Sequence, residues 1–327
     1  MFTILNAYAI LYVPRKVVDN VISYKKLFLM MEEREISKER LKNAIGISSA
    51  TMAKLAKNEE VAMSTIYALC DYFDCQPGAI LSYEKEIDEN SILFKLREEQ
   101  SMKLKGGLYH QTQVRLAYNS NHMEGSRLTE EQTRSIYETQ TIGVTDGYER
   151  VDDIIETINH FRCFDYILSI ADKELSEDII KQIHLKLKSG TTDSEKEWFA
   201  VGDYKKRPNV IGDMIETTHP SKVASEIKQL LKEYRENDNI TFEDVVGFHY
   251  KFEKIHPFQD GNGRVGRLIM FKECLKHNIP PFIIEDVSKE YYRRGLKEYS
   301  TEKGFLVETC RAAQDAYKKL LEYFEYI

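Results

Sequence analysis

The most constraining feature of this sequence is the segment 256–267, which reads HPFQDGNGRVGR. It lies between two stretches in which apolar residues recur at helical spacing, so we expect a loop that leads into a helix. Gly261 and Gly263 permit the positive φ angles with which successive backbone N–H groups converge on an anion, and Asn262 adds an amide donor. The segment therefore predicts a binding site for the phosphates of a nucleotide.

Charged side chains in the same segment add chemistry to this predicted site. Arg264 and Arg267 fall at the start of the expected helix, where free N–H groups and the helix dipole also favour negative charge. Asp260 offers one hard oxygen ligand, which suits a Mg2+ ion that takes its other ligands from water and phosphate oxygens. His256 is a natural general base for a hydroxyl nucleophile, because an imidazole ordinarily titrates near neutral pH.

This segment resembles the Fic-family motif, His-Pro-Phe-x-[Asp/Glu]-Gly-Asn-Gly-Arg-x-x-Arg, and matches it at every fixed position. The resemblance extends over roughly residues 109–300, and residues 202–204 with the extended stretch before Pro220 are similar to the family's target-docking flap. The resemblance implies transfer of AMP from ATP, with Mg2+, to a Ser, Thr or Tyr hydroxyl of a protein target or of the enzyme itself.

The same resemblance implies roles for single residues. His256 would deprotonate the acceptor hydroxyl, and Asp260 would hold Mg2+ on the α- and β-phosphates. Asn262 and the loop amides would hold the α-phosphate, and Arg267 would grip the γ-phosphate. Separately, Tyr292 is expected either to place its ring against adenine or to pack in the core or on the surface of a helix. The residues expected to bind the nucleotide or its metal are Asp260, Gly261, Asn262, Gly263, Arg264, Arg267 and Tyr292.

A second element, residues 120–125 (SNHMEG), resembles the family's inhibitory pattern [Ser/Thr]-x-x-x-Glu-[Gly/Asn]. Ser120 and Glu124 are four positions apart, so they share one face of a helix that Gly125 can end. A carboxylate directed at Arg267 would compete with the γ-phosphate for one guanidinium, and a charge-assisted pair is worth roughly 1.5 to 3 kcal/mol. The sequence therefore predicts autoinhibition through Ser120 and Glu124.

The amino-terminal part reads as short helices joined by tight turns. Ser37 can cap a helix over 38–44 that Gly46 ends, and Ser48 or Ser49 can cap a following helix that reaches Ala56. Through the segments 37–41, 46–48 and 74–81, it resembles the lambda-repressor-like (Xre-type) helix-turn-helix family.

The residues from Lys38 to Lys57 include five basic side chains and one acidic side chain, Glu39, which gives a local charge of +4. Such a patch favours contact with DNA phosphates. If the helix-turn-helix geometry holds, the residues that approach base edges are Ser49, Ala50, Thr51 and Lys54. A specific DNA duplex is the expected partner of this module, and protein docking or formation of a homodimer is the alternative.

The chain has 327 residues, of which 42% are hydrophobic and 30% charged, a composition typical of globular proteins with real cores. We predict a mainly α protein: a helical Fic (Fido) domain with a β-hairpin flap within 199–218, preceded by a small all-α helix-turn-helix domain. The predicted divisions are a lead segment over 1–21 without assigned role, the helix-turn-helix domain over 22–83, a linker or connecting helix over 84–108, and the Fic domain over 109–327.

Charge and cysteine content limit the partners and the compartment. The net charge of −7 argues against non-specific attraction of the whole chain to nucleic acid or membranes. The apolar run Phe2–Val13 is too short to span a bilayer, so neither a signal peptide nor a membrane anchor is expected. Five scattered cysteines without a repeated Cys-x-x-Cys spacing are typical of reduced thiols and predict a cytoplasmic protein.

Other functions remain open from the sequence. The chain could be a DNA-binding transcriptional regulator that uses its Fic domain as a nucleotide sensor, or a Fic enzyme that transfers another group or removes AMP. A zinc site at His249, His256 and Asp260 is disfavoured because no His-x-x-x-His pair is present. Surfaces or helix caps are the expected locations of His122, His184, His219 and His277.

Overall fold

The computed structural model describes residues 20–85, 88–143, 147–211 and 215–327. The chain divides into two compact units, Met1–Asp88 and Glu89–Ile327. Residues 1–19 of the predicted lead segment lie outside the described residues. The boundary between the units falls inside the segment 84–108, the predicted linker or connecting helix.

The first unit contains five helices and a two-stranded sheet among its described residues. The elements are β1 Asn20–Ser23, α1 Lys25–Glu33, α2 Lys38–Ile45, α3 Ser49–Ala56, α4 Met63–Phe73, α5 Pro77–Ile80 and β2 Ser82–Lys85. The two strands are antiparallel, with Ile22 opposite Tyr83. The prediction of an all-helical module did not include this sheet, because each strand is only four residues long and its partner is distant in sequence.

The predicted helix-turn-helix is confirmed at its capping residues. The Ser37 hydroxyl accepts a hydrogen bond from the Arg40 N–H at the start of α2, and Gly46 ends that helix with φ of 69°. The Ser48 hydroxyl caps α3 by accepting from the Thr51 N–H at 3.0 Å. The helices pack around buried residues that include Leu27, Leu41, Leu55, Leu69 and Phe73.

The second unit is helical apart from one hairpin among its described residues. Its elements are α6 Ile92–Met102, α7 Leu108–Met123, α8 Glu130–Thr139, α9 Val151–Ser169, α10 Glu177–Lys188, β3 Val210–Ile211, β4 Ile215–Glu216, α11 Pro220–Arg235, α12 Phe242–Ile255, α13 Asn262–Lys276, α14 Lys289–Glu298 and α15 Gly304–Tyr323. The antiparallel pair β3 and β4 confirms the expected hairpin.

Helix α13 runs through the centre of this unit and is buried on every side, since all of its residues from Arg264 to Leu275 are buried. It packs against α12, α9, α10 and α7. Helix α6 also contributes Ile92 and Leu96 to this core. The stretch predicted to connect two domains thus contains a core helix of the second unit.

Among the described residues, no helix combines the length and the hydrophobicity required to cross a bilayer.

Candidate active site

The segment 256–267 forms the loop between α12 and α13 and the first turns of α13. His256 ends α12 in a left-handed conformation, with φ of 51°, and its N–H donates to the Phe252 carbonyl at 2.9 Å. Gly261 adopts φ of 80° immediately before α13. The loop therefore presents the open amino-terminal end of a buried helix, which is a favourable place for an anion.

Gly263 differs from the expectation of a positive φ, because it lies inside α13. Its lack of a side chain serves another purpose. A Cβ atom there would overlap the Glu124 Oε1 atom and lie 2.9 Å from the Arg267 Nη1 atom. Gly263 thus makes room for the contact between Glu124 and Arg267.

Asn262 is buried, and its amide holds the loop. Its Oδ1 atom accepts from the Phe258 N–H at 2.8 Å, and its Nδ2 atom donates to the Phe258 carbonyl at 2.9 Å. These paired bonds fix the loop between His256 and α13. The predicted contact of Asn262 with the α-phosphate stays a prediction, since loop closure already engages both amide groups.

His256 is poised to accept a proton. Burial, together with the positive charge of Lys205, lowers the pKa of its imidazole to about 4, so the ring is neutral at pH 7. Its side chain remains 18% exposed. A neutral, accessible imidazole can accept a proton, which is the first requirement of a general base.

Arg267 lies in α13 and is held by the end of α7. Its Nε atom donates to the Ser120 hydroxyl at 3.0 Å, and its Nη2 atom donates to the Ser120 carbonyl at 2.9 Å. The same Nη2 atom donates to Glu124 Oε1 at 2.7 Å. Desolvation raises the pKa of Glu124, but the charges of Arg267 and Arg264 outweigh it and hold that pKa below its usual range.

Asp260 belongs to a cluster of charged side chains that the sequence did not reveal. Its Oδ2 atom accepts from Lys188 Nζ at 2.8 Å and from Arg264 Nη2 at 3.1 Å. Glu156 contacts the same two cations. Lys188 ends α10 and Glu156 lies in α9, and a basic residue at a helix end has no distinctive sequence signal.

The cluster accommodates the expected Mg2+ in one respect. The Asp260 side chain is 48% exposed, and the surrounding positive charge lowers the pKa of its carboxyl, so an ionised oxygen faces the site. Among the residues described by the structure, no group of three or more His, Cys, Asp or Glu side chains could hold a metal. A Mg2+ ion at Asp260 would therefore take most of its ligands from phosphate oxygens and water.

Tyr292 packs in the interior, so the expectation that it contacts adenine is replaced by its packing alternative. Its side chain is buried, its hydroxyl shares a 2.5 Å hydrogen bond with His249 Nε2, and its ring lies 6.0 Å from the Arg267 guanidinium carbon. Tyr292 thus packs near the Arg267 guanidinium. His249 is equally buried, and its bond to Tyr292 argues against a role in a zinc site.

His184 corrects a further expectation, because it is fully buried instead of lying at a surface or cap. Its ring stacks on Phe258 with centroids 3.9 Å apart. Its Nδ1 atom accepts from the Gly202 N–H at 3.0 Å, so its Nε2 atom carries the proton and donates to the Asp260 carbonyl at 3.2 Å. His184 therefore joins the segment 202–209, called the base of the hairpin below, to the loop between α12 and α13.

Further bonds attach the hairpin base to the same loop. The Lys205 N–H donates to the Pro257 carbonyl at 2.9 Å, and Asn209 Nδ2 donates to the Phe258 carbonyl at 3.0 Å. The buried Lys205 ammonium donates to Asn209 Oδ1 at 2.7 Å and Thr217 Oγ1 at 2.6 Å. Burial lowers the pKa of Lys205 to about 8. These contacts fix the base of the hairpin beside His256.

In the first unit, α3 presents the predicted DNA-facing residues on its outer side. Ser49, Ala50 and Lys54 are exposed and Thr51 is half-buried, whereas Met52 and Leu55 point into the core. Lys42 Nζ reaches across from α2 to the Ser49 hydroxyl at 3.4 Å. Three of the four predicted residues, Ser49, Ala50 and Lys54, are thus accessible on α3.

Comparison with known families agrees with this architecture. Residues 174–274 match the model of the Fic/DOC family, and residues 26–86 match the Cro/C1-type HTH DNA-binding domain. The chain therefore contains a Fic/DOC-family domain preceded by a Cro/C1-type helix-turn-helix domain.

Curated relatives match part of this chain. The chain is 29% identical over 186 residues to the protein adenylyltransferase Fic of Drosophila erecta, a match that covers 55% of this chain and 36% of that protein. The chain thus spans about a third of the length of the curated relatives it matches.

Solved structures show the same fold. A Fic domain containing signaling protein from Bacteroides thetaiotaomicron gives a TM-score of 0.54 at 23% identity and covers 71% of this chain and 90% of its own. Fic-1 from C. elegans gives 0.55 at 16% identity and covers 91% and 86%. The second unit accordingly has the Fic fold.

Proposed function

We propose that the second unit is a protein adenylyltransferase that transfers AMP from ATP to a Ser, Thr or Tyr hydroxyl of a protein target or of itself. The observation that carries this proposal is the neutral, partly exposed His256 next to the amino-terminal end of α13, with Asp260, Arg264 and Arg267 alongside. The match to relatives named protein adenylyltransferase supports the same reaction class.

In the proposed reaction, His256 accepts the proton of the acceptor hydroxyl. The hydroxyl oxygen forms a bond to the α-phosphorus, and the bond from that phosphorus to the bridging oxygen of the β-phosphate breaks, which releases pyrophosphate. Arg267 would hold the distal phosphate, and Asp260 would hold Mg2+. When bound, Mg2+ would neutralise negative charge on the α- and β-phosphates.

The β3–β4 hairpin is the proposed docking element for the protein target. A two-stranded sheet has two outer edges whose backbone groups can pair with an extended segment of a partner. Lys205 and Asn209 bind the base of the hairpin to the loop after His256. A target held on the hairpin would therefore keep a fixed distance from the His256 imidazole. Positioning of this kind is a large part of catalysis in two-substrate reactions.

We further propose that the structure corresponds to an autoinhibited state. Glu124 and Ser120 occupy the hydrogen-bonding groups of Arg267 that the γ-phosphate would need. ATP would then either fail to bind or bind with its α-phosphate turned away from the attacking hydroxyl.

Intact-mass analysis tests the reaction type directly. After incubation with ATP and Mg2+, the Glu124→Gly variant should gain the mass of one AMP, because the inhibitory carboxylate is gone and the enzyme itself offers hydroxyls. The matched control carries His256→Ala in addition and should gain nothing. A gain equal to one phosphate would instead identify transfer of a different group, and no gain with any added protein would argue for nucleotide sensing.

The first unit is proposed to bind a specific DNA duplex. Its +4 stretch would displace counterions from DNA, so affinity should fall as salt rises. Lys54→Ala in the full chain should weaken binding and reduce the slope of log affinity against log salt by about one. Lys25→Ala, on the exposed face of α1, is the matched control. Fluorescence anisotropy on duplexes selected from a random pool measures the binding. If no duplex binds at low salt, protein docking or a homodimer is favoured.

A further inference from the structure

Lys188 is a buried ammonium group placed directly beside the carboxylate proposed to hold the metal. Its side chain is 3% exposed, and its Nζ atom lies 2.5 Å from Glu156 Oε1, 2.8 Å from Asp260 Oδ2 and 3.0 Å from Asp193 Oδ2. Three carboxylates surround one ammonium, so Lys188 is fixed in its charged form and cannot swing into solvent. The mechanism proposed above does not use this charge.

Arg264 closes the cluster into a ring. It contacts Glu156 Oε2 with one terminal nitrogen and donates to Asp260 Oδ2 at 3.1 Å with the other. Glu156 therefore bridges Lys188 and Arg264, and both cations contact the same oxygen of Asp260. The ring leaves Asp260 Oδ1 as the oxygen that neither cation contacts.

The charges of this cluster balance without a metal. Lys188 and Arg264 face three carboxylates, and Lys196 Nζ pairs with one of them, Asp193, at 2.6 Å, so three cations meet three anions. Without the Lys188 ammonium the cluster would carry one negative charge beside a polyphosphate. Like charges repel more strongly in a partly buried site than in water, so this difference weighs on nucleotide binding.

We propose that Lys188 is a resident counter-cation of the nucleotide site, which supplies part of the positive charge that Mg2+ otherwise provides and so lowers the dependence of ATP binding on Mg2+. The proposal rests on the proposed function in one respect, that Asp260 lies beside the α- and β-phosphates of bound ATP. It assigns Lys188 a role in nucleotide affinity, distinct from the reacting groups.

Isothermal titration calorimetry with ATP tests this role. The quantity of interest is the ratio of the dissociation constant measured with EDTA to that measured with Mg2+, determined in full-length Glu124→Gly protein so that Arg267 is available. Lys188→Met should raise this ratio by about tenfold, because metal-free ATP meets an additional uncompensated negative charge while a bound Mg2+ offsets it. An unchanged or smaller ratio would overturn the proposal.

Two variants keep the test specific. Lys188→Arg retains the charge and should preserve the ratio of the parent protein, whereas a ratio like that of Lys188→Met would contradict a role for charge. Lys186→Met removes a lysine two positions away, whose Nζ lies 5.0 Å from the centre of the Tyr166 ring, and should leave the ratio unchanged. Thermal melting checks folding, and Lys188→Gln replaces Lys188→Met if the latter does not fold.

Asp260→Asn in the same titration separates this inference from the proposed function. If Asp260→Asn leaves the Mg2+ dependence unchanged, Asp260 does not hold the metal, and the proposed site and the role of Lys188 both fail. If Asp260→Asn abolishes the Mg2+ dependence but Lys188→Met does not change it, only the role of Lys188 fails.

Discussion

The variant Glu124→Gly should label itself with AMP at least about tenfold faster than the wild-type chain, since one charge-assisted contact of roughly 1.5 to 3 kcal/mol is removed. Glu124 Oε1 accepts a 2.7 Å hydrogen bond from Arg267, and Gly263 leaves the space that this contact fills. The freed guanidinium is not left unpaired in the variant, because the γ-phosphate of ATP replaces the carboxylate. Incorporation of radiolabelled AMP over time measures the rate.

Two further variants separate competition for Arg267 from a general loosening of α7. Arg267→Ala should be inactive even in the Glu124→Gly background, because the group that grips the γ-phosphate is absent. Glu124→Gln keeps the size of the side chain but loses its charge, so it should be activated less than Glu124→Gly. Equal labelling of the wild-type chain and Glu124→Gly would refute inhibition by Glu124. An active double variant, Glu124→Gly with Arg267→Ala, would refute Arg267 as the shared partner.

The second large effect is expected on substitution of His256, the proposed general base. His256→Ala in the Glu124→Gly background should abolish AMP transfer and leave the affinity for ATP nearly unchanged. The imidazole acts on the acceptor hydroxyl, whereas the phosphates are held by α13 and the arginines. Labelling and calorimetry on the same protein measure the two quantities. A variant that transfers AMP at the rate of its parent would show that His256 is not the base.

The low pKa of His256 adds a pH dependence to this prediction. The active form is the neutral imidazole, and burial lowers its pKa to about 4, so lowering the pH from 7 to 5 should leave His256 deprotonated and transfer largely intact. A rate that halves near the ordinary value of about 6.5 would contradict the buried environment.

Unfolding must be excluded at the lowest pH values at which the transfer rate is measured. Burial also lowers the pKa values of His160 and His249 to about 3. Groups whose folded pKa lies below the unfolded value of about 6.5 stabilise the fold above that value, and their contribution is lost as the pH falls toward the folded pKa. Circular dichroism at each pH therefore accompanies the rate measurement.

The sequence by itself determined the elements whose signals are local. The caps Ser37 and Ser48 and the turn at Gly46 define the first helices, because side-chain caps and positive φ depend on a few neighbouring residues. The segment 256–267 likewise predicted a loop and a helix start, and the four-residue spacing of Ser120 and Glu124 predicted that both lie on one side of a helix, of which Glu124 is the C-cap residue. Each of these inferences spans less than four helical turns.

Only the tertiary structure decided which distant groups meet. Lys188 and Glu156 reach Asp260 and Arg264 from α10 and α9, and His184 reaches the loop from α10, because four helices pack around α13. Local patterns carry no information on such contacts, and a buried lysine or histidine looks in sequence like an exposed one. The pairing of β1 with β2 has the same origin, since two short strands become stable only when the fold between them brings their ends together.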